Sequence, residues 1–310
     1  MIKYIIGRIL QLIPVVLAVS FIIFTIMSFT PGDAAMIILG EEATPEALEE
    51  LREEMGLNDP FLVQYFNYLK NALQGDFGTS YRTKEPVFSE TFARFPTTLK
   101  IVGIGILLSV VISIPIGVMA AVKQYSVFDN ITLFVSLVTN CLPNFWIGML
   151  LMLVFSLALG WLPATGIDTW KHYLMPLAAL SIGSISSYIR LTRSTMLETI
   201  RQDYIRTARA KGAPEKTVIF KHALRNSLLP IITVAGTNFG FLIGGTIMIE
   251  AVFAIPGMGS LLINSVRGKD TPMVMANVLF VAVMAGVINL IVDLIYTLVD
   301  PRVKSRFAGK

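Results

Sequence analysis

One cysteine, Cys141, in a chain of 310 residues leaves no disulfide framework and no thiolate metal site within a single copy. It lies inside an apolar stretch and reads as a small buried hydrophobe. Histidine is nearly as scarce: His172 and His222 stand alone, and neither belongs to an HExxH-type ligand pair. No G-x-x-x-x-G-K-[ST] loop occurs, so the chain carries no phosphate cradle with which to hydrolyse ATP itself. Charge is the broadest deficit. Only 15% of residues are Asp, Glu, Lys or Arg, against about a quarter in soluble domains, and the mean hydropathy is +0.69. A soluble enzyme and a disordered chain are both excluded.

Six long stretches lack any formal charge: 9–32, 101–122, 130–167, 172–189, 226–249 and 271–292. A bilayer core of about 30 Å needs about 20 apolar helical residues, so the pattern predicts an all-α polytopic membrane protein with six spans. Lys3 and Arg8 precede the first run, but its length exceeds a signal-peptide core and no small-x-small site follows. It is read as a retained span over 9–30. The third run is too long for one straight span and too short for two; Pro143 within it suggests a kinked or interfacial entry. The fourth is marginal and contains Pro176.

Six spans place both termini on one side. That side sums to +11 and the opposite side to −6, with Asp293 inside the sixth span. The positive-inside rule makes the +11 side cytoplasmic. The expected organisation is a cytoplasmic N-terminus over 1–8, an extracytoplasmic loop over 31–98, a membrane core over 99–299 and a cytoplasmic tail over 300–310. Within the core, 190–227 forms a basic cytoplasmic loop. In the outer loop, Thr44-Pro45-Glu46 and Asp59-Pro60 each carry helix-start signals, so two short helices are expected there.

Helices in lipid associate where small residues let backbones approach. Gly105, Ser109, Ser113 and Gly117 form one such row, continued by Ala121, and Gly236, Gly240 and Gly244 form another. Each reads as a tight packing face or as a face that slides when a pathway opens. Deep carboxylates and histidines are absent: Glu250 and Asp293 fall near span ends, so a proton relay has little to titrate. Asn140, Asn144, Thr237 and Asn238 are polar mid-span positions, suited to lining a wet path or to interhelical hydrogen bonds.

In the basic loop, residues 202–212 read as a short helix that Asp203 caps and Gly212 stops, with Arg209 and Lys211 at its favourable end for cations. A second short helix restarts at Ala213-Pro214-Glu215 and runs to about Ala223. Ala208 and Ala210 let a partner approach closely. Nucleic acid is not an expected partner, because the flanking spans hold the loop at the lipid surface.

Arg206-Thr207-Ala208-Arg209-Ala210-Lys211-Gly212, followed after nine residues by His222-Ala223-Leu224-Arg225-Asn226 and on to Pro230, resembles the EAA loop of binding-protein-dependent ABC importer permeases. The variant is similar to that of the oligopeptide, dipeptide and nickel permeases, in particular the first permease subunit of a peptide transporter. Pro31-Gly32-Asp33, the run from Gly75 to Ser80, Pro96-Thr97-Thr98-Leu99, the run from Gly245 to Ser260 and Asp300-Pro301-Arg302 resemble further motifs of that family, in order along the chain. Arg206 stands where the general pattern has Glu, and His222 to Arg225 replaces its Ile-x-Leu-Pro; the resemblance makes both usual for the peptide branch.

The resemblance implies a type I importer fold in a bacterial or archaeal cytoplasmic membrane. It implies a coupling helix around Tyr204–Gly212 that docks in a groove on a cytoplasmic ATPase subunit, one of two that bind the ATP and Mg; this chain has no cofactor or catalytic residue of its own. A second homologous permease and an extracytoplasmic substrate-binding protein complete the expected partners. Short peptides are the expected cargo, with nickel or glutathione as alternatives within the family. A stand-alone channel or ion-driven transporter, and an intramembrane enzyme, are the readings from other classes.

Overall fold

The computed structural model describes residues 2–30, 32–40 and 42–299. The expected tail with Asp300-Pro301-Arg302, and Pro31, lie outside these, as does the side chain of Asp293.

Among the described residues, five helices are long and apolar enough to span a bilayer: Ile5–Phe29, Val87–Val122, Lys171–Ile200, Glu215–Val252 and Thr271–Val292. A sixth span is a bent pair, Val127–Cys141 and Asn144–Ala158, with 100° between its halves. The break follows from Pro143. The residue before a proline avoids the helical region, and Leu142 is extended at φ −90°, ψ 133°. The long uncharged run thus becomes one broken element.

Helices are numbered in chain order: α1 Ile2–Phe29, α2 Ala34–Leu39, α3 Pro45–Glu54, α4 Phe61–Leu73, α5 Val87–Val122, α6 Val127–Cys141, α7 Asn144–Leu151, α8 Lys171–Ile200, α9 Asp203–Ala210, α10 Glu215–Thr217, α11 Arg225–Val252, α12 Met258–Arg267 and α13 Thr271–Val299. π-Helical turns follow α7 at Met152–Ala158 and α10 at Val218–Leu224.

Several boundaries differ from the sequence reading. α5 begins at Val87, inside the segment expected as outer loop, and at about 1.5 Å per residue its 36 residues exceed the apolar thickness of a bilayer. α8 has 30 residues and continues through Arg190 and Arg193, because their charges are satisfied by neighbouring helix α6. The short helix expected over 215–223 is the first turns of the fifth span: backbone at Thr217, Leu224 and Arg225 stays helical through the π turn, and no Gly or Pro interrupts it. The expected helices at Thr44 and Asp59 form as α3 and α4. Thr44 accepts from Ala47 N–H, and Pro45 occupies the first turn. Helices α2 and α12 carry no strong period and escaped notice.

The chain divides into two compact units, Met1–Thr98 with Pro256–Gly286, and Leu99–Ile255 with Val287–Lys310. In the first, Phe24, Tyr65 and Met275 form a buried cluster, and Tyr65 shares a 2.8 Å hydrogen bond with Ser20. Asp33 caps α2 through Ala35 N–H and receives Arg52 from α3 at 2.5 Å. That guanidinium holds the Asp33 carboxyl below its usual range. Ser80, at the end of the Gly75–Ser80 motif, donates to buried Asp270, which also accepts from Tyr81 N–H. Burial pushes the Tyr81 phenol up to about 12, with the Asp270 carboxylate adding to the effect.

In the second unit the α5 row lies against α8. A Cβ at Gly105 would fall 3.1 Å from Leu180, and one at Gly117 would fall 2.6 Å from Thr192 Cβ and 2.9 Å from the Ile189 carbonyl. Ser109 donates to the Gly105 carbonyl at 2.7 Å, and Ser109 and Ser113 are buried. The α11 row is different. Gly236 backs onto Val292, Gly240 is half-buried, and Gly244 is exposed with no atom within 4 Å of its Cβ position. Rows of spacing four run oblique to a helix axis, so a neighbour meets the whole row only if it crosses at the matching angle, as α8 does on α5.

Gly117→Ala is expected to lower stability by about 1–3 kcal/mol through overpacking. Gly103→Ala, on the same helix with nothing within 4 Å, gains helix propensity alone. Thermal unfolding of the purified chain in detergent compares them, and equal shifts would refute the packing argument. A second comparison uses pH. Asp33 titrates lower folded than unfolded, so its stabilisation is complete above its ordinary value of 3.8 and is lost as pH falls through the folded value. The melting difference between the wild type and Asp33→Asn is expected to be constant from pH 7 to about 5 and to shrink below.

Candidate functional site

Helix α9 begins where Gln202 is extended at φ −70°, ψ 149°. Gln202, not Asp203, is the cap residue. Asp203 sits one position later in the first turn, where a carboxylate still favours the helix dipole. The helix stops at Gly212, whose φ of +77° suits glycine. Pro214 then starts the next helix. Arg209 spans the turn and donates to both Glu215 oxygens, at 2.7 and 3.2 Å, so the Gly-Ala-Pro corner is braced.

Ile205 anchors α9. It is fully buried in a cluster with Val118 and Ala121 of α5, Met196 of α8, and Val218 and Ala223 of the π turn. Ala208, three residues on, packs against the same cluster and is half-buried, so part of its surface belongs to the seat. Tyr204, Arg206, Thr207, Arg209, Ala210, Lys211 and Gly212 are exposed. The Tyr204 hydroxyl accepts from Asn226 at 2.9 Å, and the same amide donates to the His222 carbonyl at 3.0 Å. His222 and Leu224 are half-buried, and Arg225 and Asn226 are exposed. The two halves of the motif, separate in sequence, therefore close on each other and form a basic knob on the ends of α5, α8 and the fifth span.

Two basic residues assigned to the loop do something else. Arg193 on α8 makes a bidentate pair with Asp129 of α6, at 2.5 and 2.7 Å, and Arg190 donates to the Ser136 carbonyl at 3.0 Å. Asp129 is fully buried and also accepts from Tyr125 N–H. Sequence reasoning missed this clamp because it counted the two arginines only as charge. Their i, i+3 spacing on one helix face was the available signal.

The mid-span polar residues distribute around α8. Asn140 is exposed and accepts from Ser187 at 3.0 Å. Asn144 is half-buried, with Oδ1 3.2 Å from where a Gly183 Cβ would sit. Asn238 donates to the Tyr188 hydroxyl at 3.2 Å. Three of the four thus meet residues 183–188 of one helix. Thr237 instead returns its hydroxyl to Thr233 and Val234 carbonyls and faces out from α11 beside exposed Phe241. Cys141, at the end of α6, is exposed rather than buried. His172, in the first turn of α8, bonds Thr169 just before that helix, and Glu250 is buried near the end of α11.

Ile205→Ala is expected to cost about 2–5 kcal/mol of local stability by cavity formation, whereas Arg206→Ala on the exposed side stays within about 0.5 kcal/mol. Hydrogen exchange of the α9 amides should rise sharply in the first variant only.

Residues 113–305 match the family described as binding-protein-dependent transport system inner membrane component. Residues 1–102 match its N-terminal membrane-component family. The glutathione transport system permease protein GsiC of Salmonella choleraesuis is 40% identical over 304 residues, covering 98% of this chain and 99% of that protein. The dipeptide transport system permease protein DppB of Alkalihalophilus pseudofirmus is 38% identical over 332 aligned residues, covering 98% and 100%. Among solved structures, the MetNI methionine ABC transporter in an inward-facing form superposes with a TM-score of 0.59 at 19% identity, over 70% of this chain and 99% of that one.

Proposed function

Since this chain belongs to the family of binding-protein-dependent transport system inner membrane components, we propose that it is the permease subunit of an ATP-driven importer of short peptides. The observation that carries the coupling role is α9: a helix seated by Ile205 on three spans, with Tyr204, Arg206, Thr207, Ala210 and Lys211 left outward. A rigid knob of this kind transmits a push from a cytoplasmic ATPase to α5, α8 and the fifth span together. The chain itself is no enzyme and holds no cofactor; ATP and Mg belong to two ATPase subunits. A second, homologous permease completes the pathway, and an extracytoplasmic binding protein delivers cargo. The positive-inside asymmetry supports an orientation with both termini and α9 in the cytoplasm. Asn140, Asn144, Thr237 and Asn238 are the proposed pathway positions. Peptide cargo is supported by relatives named for glutathione and dipeptides.

Reconstitution with the partner subunits tests this reading. Ala210→Arg enlarges the exposed face, and Gly212→Pro cannot adopt φ +77°. Both are expected to abolish ATP-driven dipeptide uptake while membrane insertion persists and, for Ala210→Arg, the melting temperature is unchanged. Full uptake in Ala210→Arg would remove the docking role. Concentrative uptake by this chain alone would replace the whole proposal with a secondary transporter.

A further inference from the structure

A cleft of about 860 Å³ opens within the unit Met1–Thr98, Pro256–Gly286, lined by the end of α1, by α3 and α4, and by residues around Lys269. Its size falls in the range of small-molecule sites, about 300–1,000 Å³. One wall is aromatic, with Phe24, Phe29 and Phe61. Four charged residues line it. Asp33 and Arg52 neutralise each other at 2.5 Å. Lys269 and Asp76 are left over, of opposite sign, and no salt bridge joins either to a described residue. The Asp76 carboxylate accepts only from Gly78 N–H, and the Lys269 stem lies over Gly32, where a Cβ would fall 2.7 Å from Cδ. The same cleft is lined by the exposed residues Asn67 and Asn71, each with an amide. It also holds the Tyr68 hydroxyl, which is buried with no hydrogen-bond partner among the described residues. A buried polar atom of this kind calls for a partner from outside the chain.

We propose that this cleft is a binding site for the zwitterionic backbone of a short peptide. The peptide carboxylate meets Lys269 Nζ, its ammonium meets Asp76, its amide groups meet Asn67, Asn71 and Tyr68 Oη, and its side chains rest on the aromatic wall. The site lies outside the polar mid-span positions of α6, α7 and α11, and it deepens the peptide-importer reading on which it rests. A zwitterionic lipid headgroup offers the same two charges but no peptide amides.

Calorimetry on the full chain in phosphatidylglycerol nanodiscs separates these cases. Trialanine is expected to bind, and N-acetyl-trialanine amide, which lacks both terminal charges, to bind at least about tenfold more weakly, the loss of a charge-assisted hydrogen bond. Lys269→Asn keeps a residue that tolerates φ +52° and should weaken trialanine about tenfold, with Tyr68→Phe weakening it by about fivefold; circular dichroism should match the wild type in both. Absence of trialanine binding, equal binding of the capped peptide, or unchanged affinity in Lys269→Asn overturns the site. Tighter binding of phosphoethanolamine than of trialanine also overturns it, in favour of lipid. Dipeptide uptake by the reconstituted importer is scored separately: uptake without cleft binding sinks this site alone, whereas an importer that moves no peptide sinks the reading beneath it.

Discussion

Eight residues are too few to hold a helix in water, where isolated helices below about 12–15 residues are marginal. Helix α9 exists because Ile205 and Ala208 are pressed into the apolar cluster at the ends of α5, α8 and the π turn. Everything assigned to the exposed face follows from that seat. It decides that Arg206 and Ala210 are exposed while Ala208 is partly covered, and it fixes how the helix is rotated about its axis. The Arg209–Glu215 brace and the Tyr204–Asn226 bond fix its orientation. A loop of the same charge without Ile205 would obey the positive-inside rule and have no such seat.

The clamp between α6 and α8 extends this stiffness. Removing one partner from a buried ion pair strands the other charge at a cost of about 3–5 kcal/mol, so Asp129 and Arg193 keep α6 and α8 together. The Gly105-to-Gly117 row binds α5 to α8 by a different physics, close backbone approach in place of charge. Both act on the same helix, which also collects Asn140, Asn144 and Asn238 around residues 183–188. α8 is therefore the member through which the basic knob and the polar positions are joined within one compact unit.

The chain's membership of the binding-protein-dependent family gives these local arrangements a common purpose. Its relatives carry different cargo names on nearly full-length matches.

Much of this was legible without coordinates. Six uncharged runs predicted the spans because an unpaired charge in lipid is costly wherever it falls, so composition alone marks depth. The helix start at Thr44 and the stop at Gly212 were readable because capping and left-handed turns are local chemistry, and α4 follows the Asp59-Pro60 signal although Pro60, not Asp59, stands at its cap. What the sequence could not decide was which side chains face the protein. Arg190 and Arg193 resembled loop charges until Ser136 and Asp129 of α6 were brought opposite them, Ala208 resembled a fully open position until Ile205 fixed the rotation of α9, and of the α11 glycines Gly236 lies against Val292 while Gly244 lies open. Local rules set element type and ends, because their energies arise within a few residues; burial and pairing depend on partners tens of residues away, and only the packed tertiary structure chooses them.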